Sequence, residues 1–248
     1  MTLRADVAAL THTGAVRPAN EDALAVGDWL AGADLSRPKQ LTLEAPAAVV
    51  VADGMGGHAG GQLASREAAR YLARRVPGAG APEAVATALR DANGHLYDLV
   101  EQGQGAPGMG TTACVLALRP DGVVLGNVGD SRIHRWRAGE LTQLSVDDTP
   151  GPKLADGRTA ARTTPVLTQS LGGQPEPVRV DAHAEADAPQ AGDAYLLVTD
   201  GLTDLVGRDA IAARLREHPG EAAVTALLDD ALKEGGRDNV TIALVQLR

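Results

Sequence analysis

Six apolar residues in a row, Ala47–Ala52 (AAVVVA), lead directly into Asp53-Gly54. The run is too short for a helix and has no polar alternation, so it reads as a buried strand. The same relation returns three times: Asp130 follows VVLGNVG, Asp200 follows AYLLVT, and Asp238 stands just ahead of VTIALV. Glycine adjoins three of the four, as Asp53-Gly54, Gly129-Asp130 and Asp200-Gly201. One aspartate at a strand end only makes a turn. Four of them, with Glu21-Asp22 ahead of another short apolar stretch, predict strand ends and carboxylates gathered on one rim.

The remaining pattern gives the setting of that rim. Strands are expected at Leu3–Leu10, Asp22–Val26, Ala47–Ala52, Thr111–Leu118, Val123–Val128, Ser131–Arg137, Ala194–Thr199 and Val240–Leu247. The turn Pro120-Asp121-Gly122 points to an antiparallel meander. Helical periodicity covers Gln62–Arg75, Glu83–Glu101, Asp209–Glu217 and Glu221–Lys233, with Pro82 at one start and Gly235-Gly236 at one end. The order is not a regular alternation of strand and helix. It fits an α+β domain in which antiparallel sheets carry helices on their outer faces. The Pro-, Gly- and Thr-rich stretch Ser145–Ala191 reads as a surface excursion. Ala (45 of 248 residues) and Gly (29) are abundant, Phe is absent, and Trp plus Tyr total five. Such a core must be packed by Val, Leu and Ala, with backbones close together.

Charge and cysteine content exclude several classes. The formal charge is −9 and no basic stripe is evident, so binding to nucleic acid or to an anionic membrane by bulk electrostatics is not expected. The one cysteine, Cys114, lies in an apolar run and reads as a small buried hydrophobe. There is no disulfide framework within the chain, no run of 18 apolar residues and no apolar leader, which predicts a soluble, cytoplasmic protein without membrane insertion.

Several carboxylates within hydrogen-bonding distance raise one another's pKa and repel unless cations intervene. All-oxygen ligands, without His or Cys at the usual spacings, favour Mg²⁺ or Mn²⁺ over Zn²⁺. Two such ions are suited to attack of water on phosphorus. Arg17, in GAVRPANED, adds a guanidinium able to hold a phosphoryl group by two hydrogen bonds.

These residues occur in a set of landmarks: GAVRPANED at 14–22, VADGMGGHAGG at 51–61, GMGTTA at 108–113, NVGDSR at 127–132, LVTDGLTD at 197–204 and GGRDNVT at 235–241. In this order they resemble the metal-dependent protein serine/threonine phosphatases of the PP2C type, of the bacterial stand-alone form. The resemblance covers nearly the whole chain. It implies a single domain over 1–248 built as a four-layer α-β-β-α sandwich, two central antiparallel sheets flanked by helix pairs, with a flap-like excursion at about 145–173. It implies two Mn²⁺ or Mg²⁺ ions, with Asp53 between them, Asp200 and Asp238 on the first, and Glu21 and the Gly54 carbonyl on the second. Asp22 resembles the carboxylate that holds water beside the ions. Asp130, with Asp200, resembles the site of a third, weaker ion, and Arg17 the phosphate-binding arginine.

The implied reaction is hydrolysis of phosphoserine or phosphothreonine in a phosphoprotein substrate, opposing a cognate serine/threonine kinase, by a monomer. The alternative is a catalytically inactive module of the same family that binds phosphoproteins. Two departures from the family pattern stand out. Met55 occupies the place after Asp-Gly where eukaryotic members carry a proton-donating His, and a thioether donates no proton. Either a metal-bound water or another residue would then donate the proton, and His58, three residues on, is a candidate. Between VDDTP and QSLGG, the flap-like segment is brief and carries Arg158 and Arg162.

Overall fold

The computed structural model describes residues 2–57, 59–150 and 166–248. Five strands open the chain, β1 (Arg4–His12), β2 (Ala23–Val26), β3 (Trp29–Ala31), β4 (Lys39–Glu44) and β5 (Ala47–Ala52), followed by the two-residue β6 (Gly54–Met55). Helices α1 (Ala59–Arg75) and α2 (Pro82–Glu101) come next. Then follow β7 (Gly110–Thr111), β8 (Ala113–Arg119), β9 (Gly122–Val128), β10 (Arg132–Arg137) and β11 (Glu140–Gln143). Past the 151–165 stretch come β12 (Leu171–Gly172), β13 (His183–Asp187), β14 (Ala194–Val198), the single turn α3 (Asp200–Thr203), α4 (Arg208–Glu217), α5 (Gly220–Lys233) and β15 (Val240–Leu247).

Two six-stranded antiparallel sheets form the centre, in the orders β11-β10-β14-β15-β1-β4 and β13-β9-β8-β5-β2-β3. Side-chain alternation explains why their central strands are apolar throughout. Val7 and Ala9 of β1, Val49 and Val51 of β5, Leu116 of β8, Leu197 of β14 and Ala243 of β15 meet between the sheets. Their neighbours point outward. Ala48, Val50 and Ala52 of β5 lie under Ala64, Ala68 and Leu72 of α1 and Leu89 and Leu96 of α2. On the other side, Leu196, Val198, Ile242 and Leu244 are covered by Ile211 of α4 and Val224 and Leu227 of α5. The result is the expected four layers, helix–sheet–sheet–helix. Among the described residues no helix is long and apolar enough to cross a membrane.

Small residues set the spacing of these layers. A Cβ at Gly126 of β9 would stand 2.8 Å from Val85 Cγ1 and 3.0 Å from the His183 carbonyl, so α2 rests directly on the strand backbone. Ala64 and Ala68 against Ala48 and Ala52 let α1 approach β5 in the same way. The largest fully buried side chain is Tyr195, and its hydroxyl donates to Asp187 Oδ2 at 2.6 Å.

The structure departs from the sequence reading at the sheet margins. β3, β4, β11 and β13 were not anticipated, and these four are the outer strands of the two large sheets. They are short or polar, as in KQLTLE and HAEAD, because only one side has a strand partner and charge on an edge discourages pairing with other chains. The expected excursion over Ser145–Ala191 is correspondingly divided. Ser145, Asp147, Asp148 and Thr149 are buried, and His183–Asp187 completes a sheet by pairing with β9. Helix α1 begins before the expected Gln62, because Gly60-Gly61 concealed its first turn.

If α2 sits where Gly126 demands, Gly126→Val will drive it away from β9. Overpacking of this kind costs about 1–3 kcal/mol, and urea denaturation should give a lower midpoint with an unchanged slope.

Candidate metal centre and active site

Antiparallel pairing within each sheet, and the packing of one sheet on the other, bring the predicted carboxylates together. β2 begins where β5 ends, because they run antiparallel, so Glu21-Asp22 and Asp53 share one end of their sheet. In the other sheet β14 ends where β15 begins, which places Asp200 beside Asp238. The β9–β10 connection delivers Asp130 to the same end. A cavity of about 370 Å³ opens there, and Arg17, Glu21, Asp53, Gly54, Asp130, Asp200 and Asp238 all line it. Of the predicted residues, Asp22 lies outside the lining, and His58 falls outside the described residues. Met55, Thr112, Leu167 and Asn239 also line the cavity, and none of Thr112, Leu167 and Asn239 had been singled out.

Hydrogen bonds from neighbouring elements fix the backbone at Asp53 and Glu21. Asp53 N–H donates to Thr112 Oγ1 at 3.1 Å, while the Asp53 carbonyl accepts from Thr112 N–H at 2.9 Å and Thr111 Oγ1 at 2.8 Å. Glu21 N–H donates to Asn239 Oδ1 at 2.7 Å, and the Glu21 carbonyl accepts from Ser65 Oγ of α1 at 2.6 Å. The Asn239 amide also donates to the carbonyls of Thr13 and Ala19, so one side chain ties the Arg17 loop to the start of β15. Gly54 has no room for a side chain: a Cβ there would fall inside the Gly61 and Glu21 carbonyl oxygens. A Cβ on Gly61 would in turn strike the Glu21 carboxylate. The glycine after Asp53 is therefore required by close approach of three backbone segments.

Electrostatics confirm the convergence. Burial, and then the charges of Asp22, Asp200, Asp130 and Asp238, push the Asp53 carboxyl well above the ordinary range. Burial pushes Asp22 up to about 7, although Thr241 Oγ1 (2.6 Å) and Thr199 Oγ1 (3.0 Å) both donate to its Oδ2 and pull it back. Its other oxygen, Oδ1, is buried without a hydrogen-bond partner among the described residues. Arg17 answers part of this charge. Its Nη2 donates to Asp238 Oδ2 at 2.5 Å, and that hydrogen bond, with the charges of Asp238, Asp53 and Glu21, holds the guanidinium pKa above its usual value.

This arrangement fits hard divalent cations. The side-chain donors on the cavity wall are oxygens, five carboxylates face one arginine there, and a buried oxygen of Asp22, next to Glu21, has no partner among the described residues. Among the described residues no three His, Cys, Asp or Glu side chains are drawn in to a common ion-binding point. The carboxylates share one cavity without closing on a single point. Arg17 is paired with Asp238 on the cavity wall.

Comparison with known proteins agrees with this geometry. Residues 36–234 match the family model described as protein phosphatase 2C. The chain is 33% identical over 258 residues to the serine/threonine protein phosphatase PstP of Mycobacterium tuberculosis, covering 100% of this chain and 46% of that protein. It thus spans about half the length of that curated relative. A putative protein phosphatase 2C-type of Streptococcus pyogenes is 32% identical, over 79% of this chain and 84% of its own length. The solved catalytic domain of PstP in complex with two manganese ions superposes with a TM-score of 0.75 at 32% identity, covering 99% of each chain. Fold, rim and motif order converge with these matches on one conclusion: the chain belongs to the protein phosphatase 2C family.

Proposed function

We propose that this chain hydrolyses phosphoserine and phosphothreonine in phosphoproteins and so opposes a serine/threonine kinase. The observation that carries the reading is the cavity at the sandwich rim, where five carboxylates and one arginine meet in a member of the protein phosphatase 2C family. Two Mn²⁺ or Mg²⁺ ions, when bound, supply positive charge for the phosphoryl oxygens and acidify water near neutral pH. Glu21, Asp53, the Gly54 carbonyl, Asp200 and Asp238 are the donors assigned to them, with Asp130 and Asp200 assigned to a third, weaker ion.

The chain's own groups then divide the work. Arg17 exchanges its Asp238 partner for two phosphoryl oxygens, which positions the phosphorus and offsets charge that grows during transfer to water. Asp22 holds water through Oδ1 while Thr199 and Thr241 keep its other oxygen engaged. Met55 lines the cavity but has no proton to give. Protonation of the leaving alkoxide is therefore assigned to His58. The single domain spans 1–248, with a flap-like excursion at about 145–173, of which residues 151–165, with Arg158 and Arg162, lie outside the described residues. Leu167, on the return of that segment, lines the cavity. A cytoplasmic monomer is the form consistent with the sequence reading.

Hydrolysis of 4-nitrophenyl phosphate should require Mn²⁺ or Mg²⁺ and cease in EDTA. Asp53→Asn and Asp238→Asn should each lower turnover roughly 100-fold or more. Arg17→Ala should instead raise KM, roughly 10- to 100-fold for loss of a charged hydrogen-bond pair. Metal-independent turnover, or full activity in the Asp variants, would overturn the reading.

The repulsion also has a thermal signature. In EDTA, Asp53→Asn should melt above the wild type, by about 2–4 °C per kcal/mol of relieved repulsion. Mn²⁺ should raise the wild-type Tm more than that of the variant, reversing their order. For His58, the rate against pH of His58→Gln should lose the limb on which the acid must be protonated; two unchanged limbs would exclude it.

A further inference from the structure

The stretch that follows β11 contains a buried carboxylate that the reaction described above does not use. Asp148 is only 6% exposed at its side chain. It closes on Gly129 from two sides. Its Oδ2 accepts Gly129 N–H at 2.8 Å, and its own N–H donates to the Gly129 carbonyl at 2.9 Å. Gly129 is the residue immediately before Asp130. It has φ +100°, and a Cβ there would lie 2.7 Å from Thr112 Cβ, so no other residue can take its place. The residue after Asp130 is held as well, because Ser131 Oγ lies 2.7 Å from Thr112 Oγ1, the same atom that receives Asp53 N–H. Asp130 is therefore suspended between two anchored neighbours, one on Thr112 and one on Asp148.

The other oxygen of Asp148 engages a different part of the chain. Its Oδ1 accepts from Gln169 Nε2 at 2.8 Å and from His183 Nε2 at 2.9 Å, and its carbonyl accepts Thr168 N–H at 2.7 Å. Gln169 is fixed in turn, donating to the Asp181 carbonyl and accepting Asp181 N–H, both at 2.9 Å. Thr168 and Gln169 directly follow Leu167, which lines the catalytic cavity. One carboxylate thus joins three things: the turn that presents Asp130, the chain segment that carries Leu167, and the edge strand β13.

We propose that Asp148 is a positioning residue that couples the returning end of the 145–173 segment to Asp130. Displacement of Thr168–Gln169 pulls on Oδ1 and shifts Gly129 through Oδ2, so occupancy of the cavity wall at Leu167 adjusts how Asp130 faces the ions. A carboxylate this deeply buried and hydrogen-bonded on both oxygens transmits such a shift because little solvent is at hand to replace its partners. The inference rests on the reading of Asp130 as an ion-binding carboxylate.

The test compares Asp130→Asn, Asp148→Asn and the double variant. Turnover of 4-nitrophenyl phosphate and calorimetric titration with Mn²⁺ alone are both measured on the full chain. Asp148→Asn keeps the shape but removes one acceptor. It should weaken the weakest Mn²⁺-binding step and lower turnover by about 10- to 100-fold, the range for partners that orient a ligand, with KM little changed. The double variant should fall no further than Asp130→Asn, since residues acting as one unit are not additive. Gln169→Ala, which leaves the clasp on Gly129 intact, should shift Mn²⁺ binding in the same direction and serves if Asp148→Asn does not fold. Fully multiplicative losses, or a lowered Tm with unchanged Mn²⁺ binding and turnover, would overturn the proposal and reduce Asp148 to a structural hydrogen bond. Absence of Mn²⁺-dependent turnover in the wild type would instead strike the phosphatase reading itself.

Discussion

The two sheets are tied together at their working end by one buried carboxylate. Asp22 enters from β2 in one sheet and receives hydroxyl hydrogens from Thr199 and Thr241, which belong to the end of β14 and to β15 in the other. Thr241 also meets Thr11 of β1 at 2.8 Å, and Thr11 accepts from Asn20 two residues before Asp22. Elsewhere the sheets meet largely through Val, Leu and Ala, with Asp187 of β13 also bonded to Tyr195 of β14 at 2.6 Å and to Arg135 of β10 at 2.8 Å. The hydroxyl–carboxylate network supplies direction. It fixes the relative height of the two sheets, and with it the distance between the donors on β2 and β5 and those on β14 and β15.

That constraint explains the cost the fold carries. A carboxylate so deep has its pKa pushed up to about 7 by burial, and burial and acidic neighbours also hold Asp53 well above the ordinary range. Neither position contributes to stability as a charge. Both are retained where hydrogen bonds hold them still, which is the arrangement suited to binding cations without rearranging the backbone.

The centre of this molecule was readable from its residues, and its margins were not. AAVVVA, VVLGNVG and AYLLVT announced strands covered on both faces, and antiparallel pairing with the packing of sheet on sheet turned their Asp neighbours into one rim. The outer strands KQLTLE, ELTQ and HAEAD gave no such signal, because a strand with one partner and a wet face needs no apolar run. At the site, charge was easy to recognise and support was not. Asn239 sits inside GGRDNVT and Thr112 inside GMGTTA, yet nothing about an amide or a hydroxyl in those strings reveals that it orients Glu21 or Asp53. Asp148 was hidden for the same reason: its partners lie 19, 21 and 35 residues away.

The gathered like charges also bear on the life of the protein in a cell. A fold that holds repelling carboxylates on one rim is least secure before its cations arrive. Chaperones and proteases act on the fraction that opens, and shifts of one or two kcal/mol alter abundance several-fold. Divalent-cation supply would then govern two quantities at once, the rate of each molecule and the number of molecules that persist. Scarcity would thin the population as well as slow it, so the total dephosphorylating capacity would fall more steeply than ion occupancy alone.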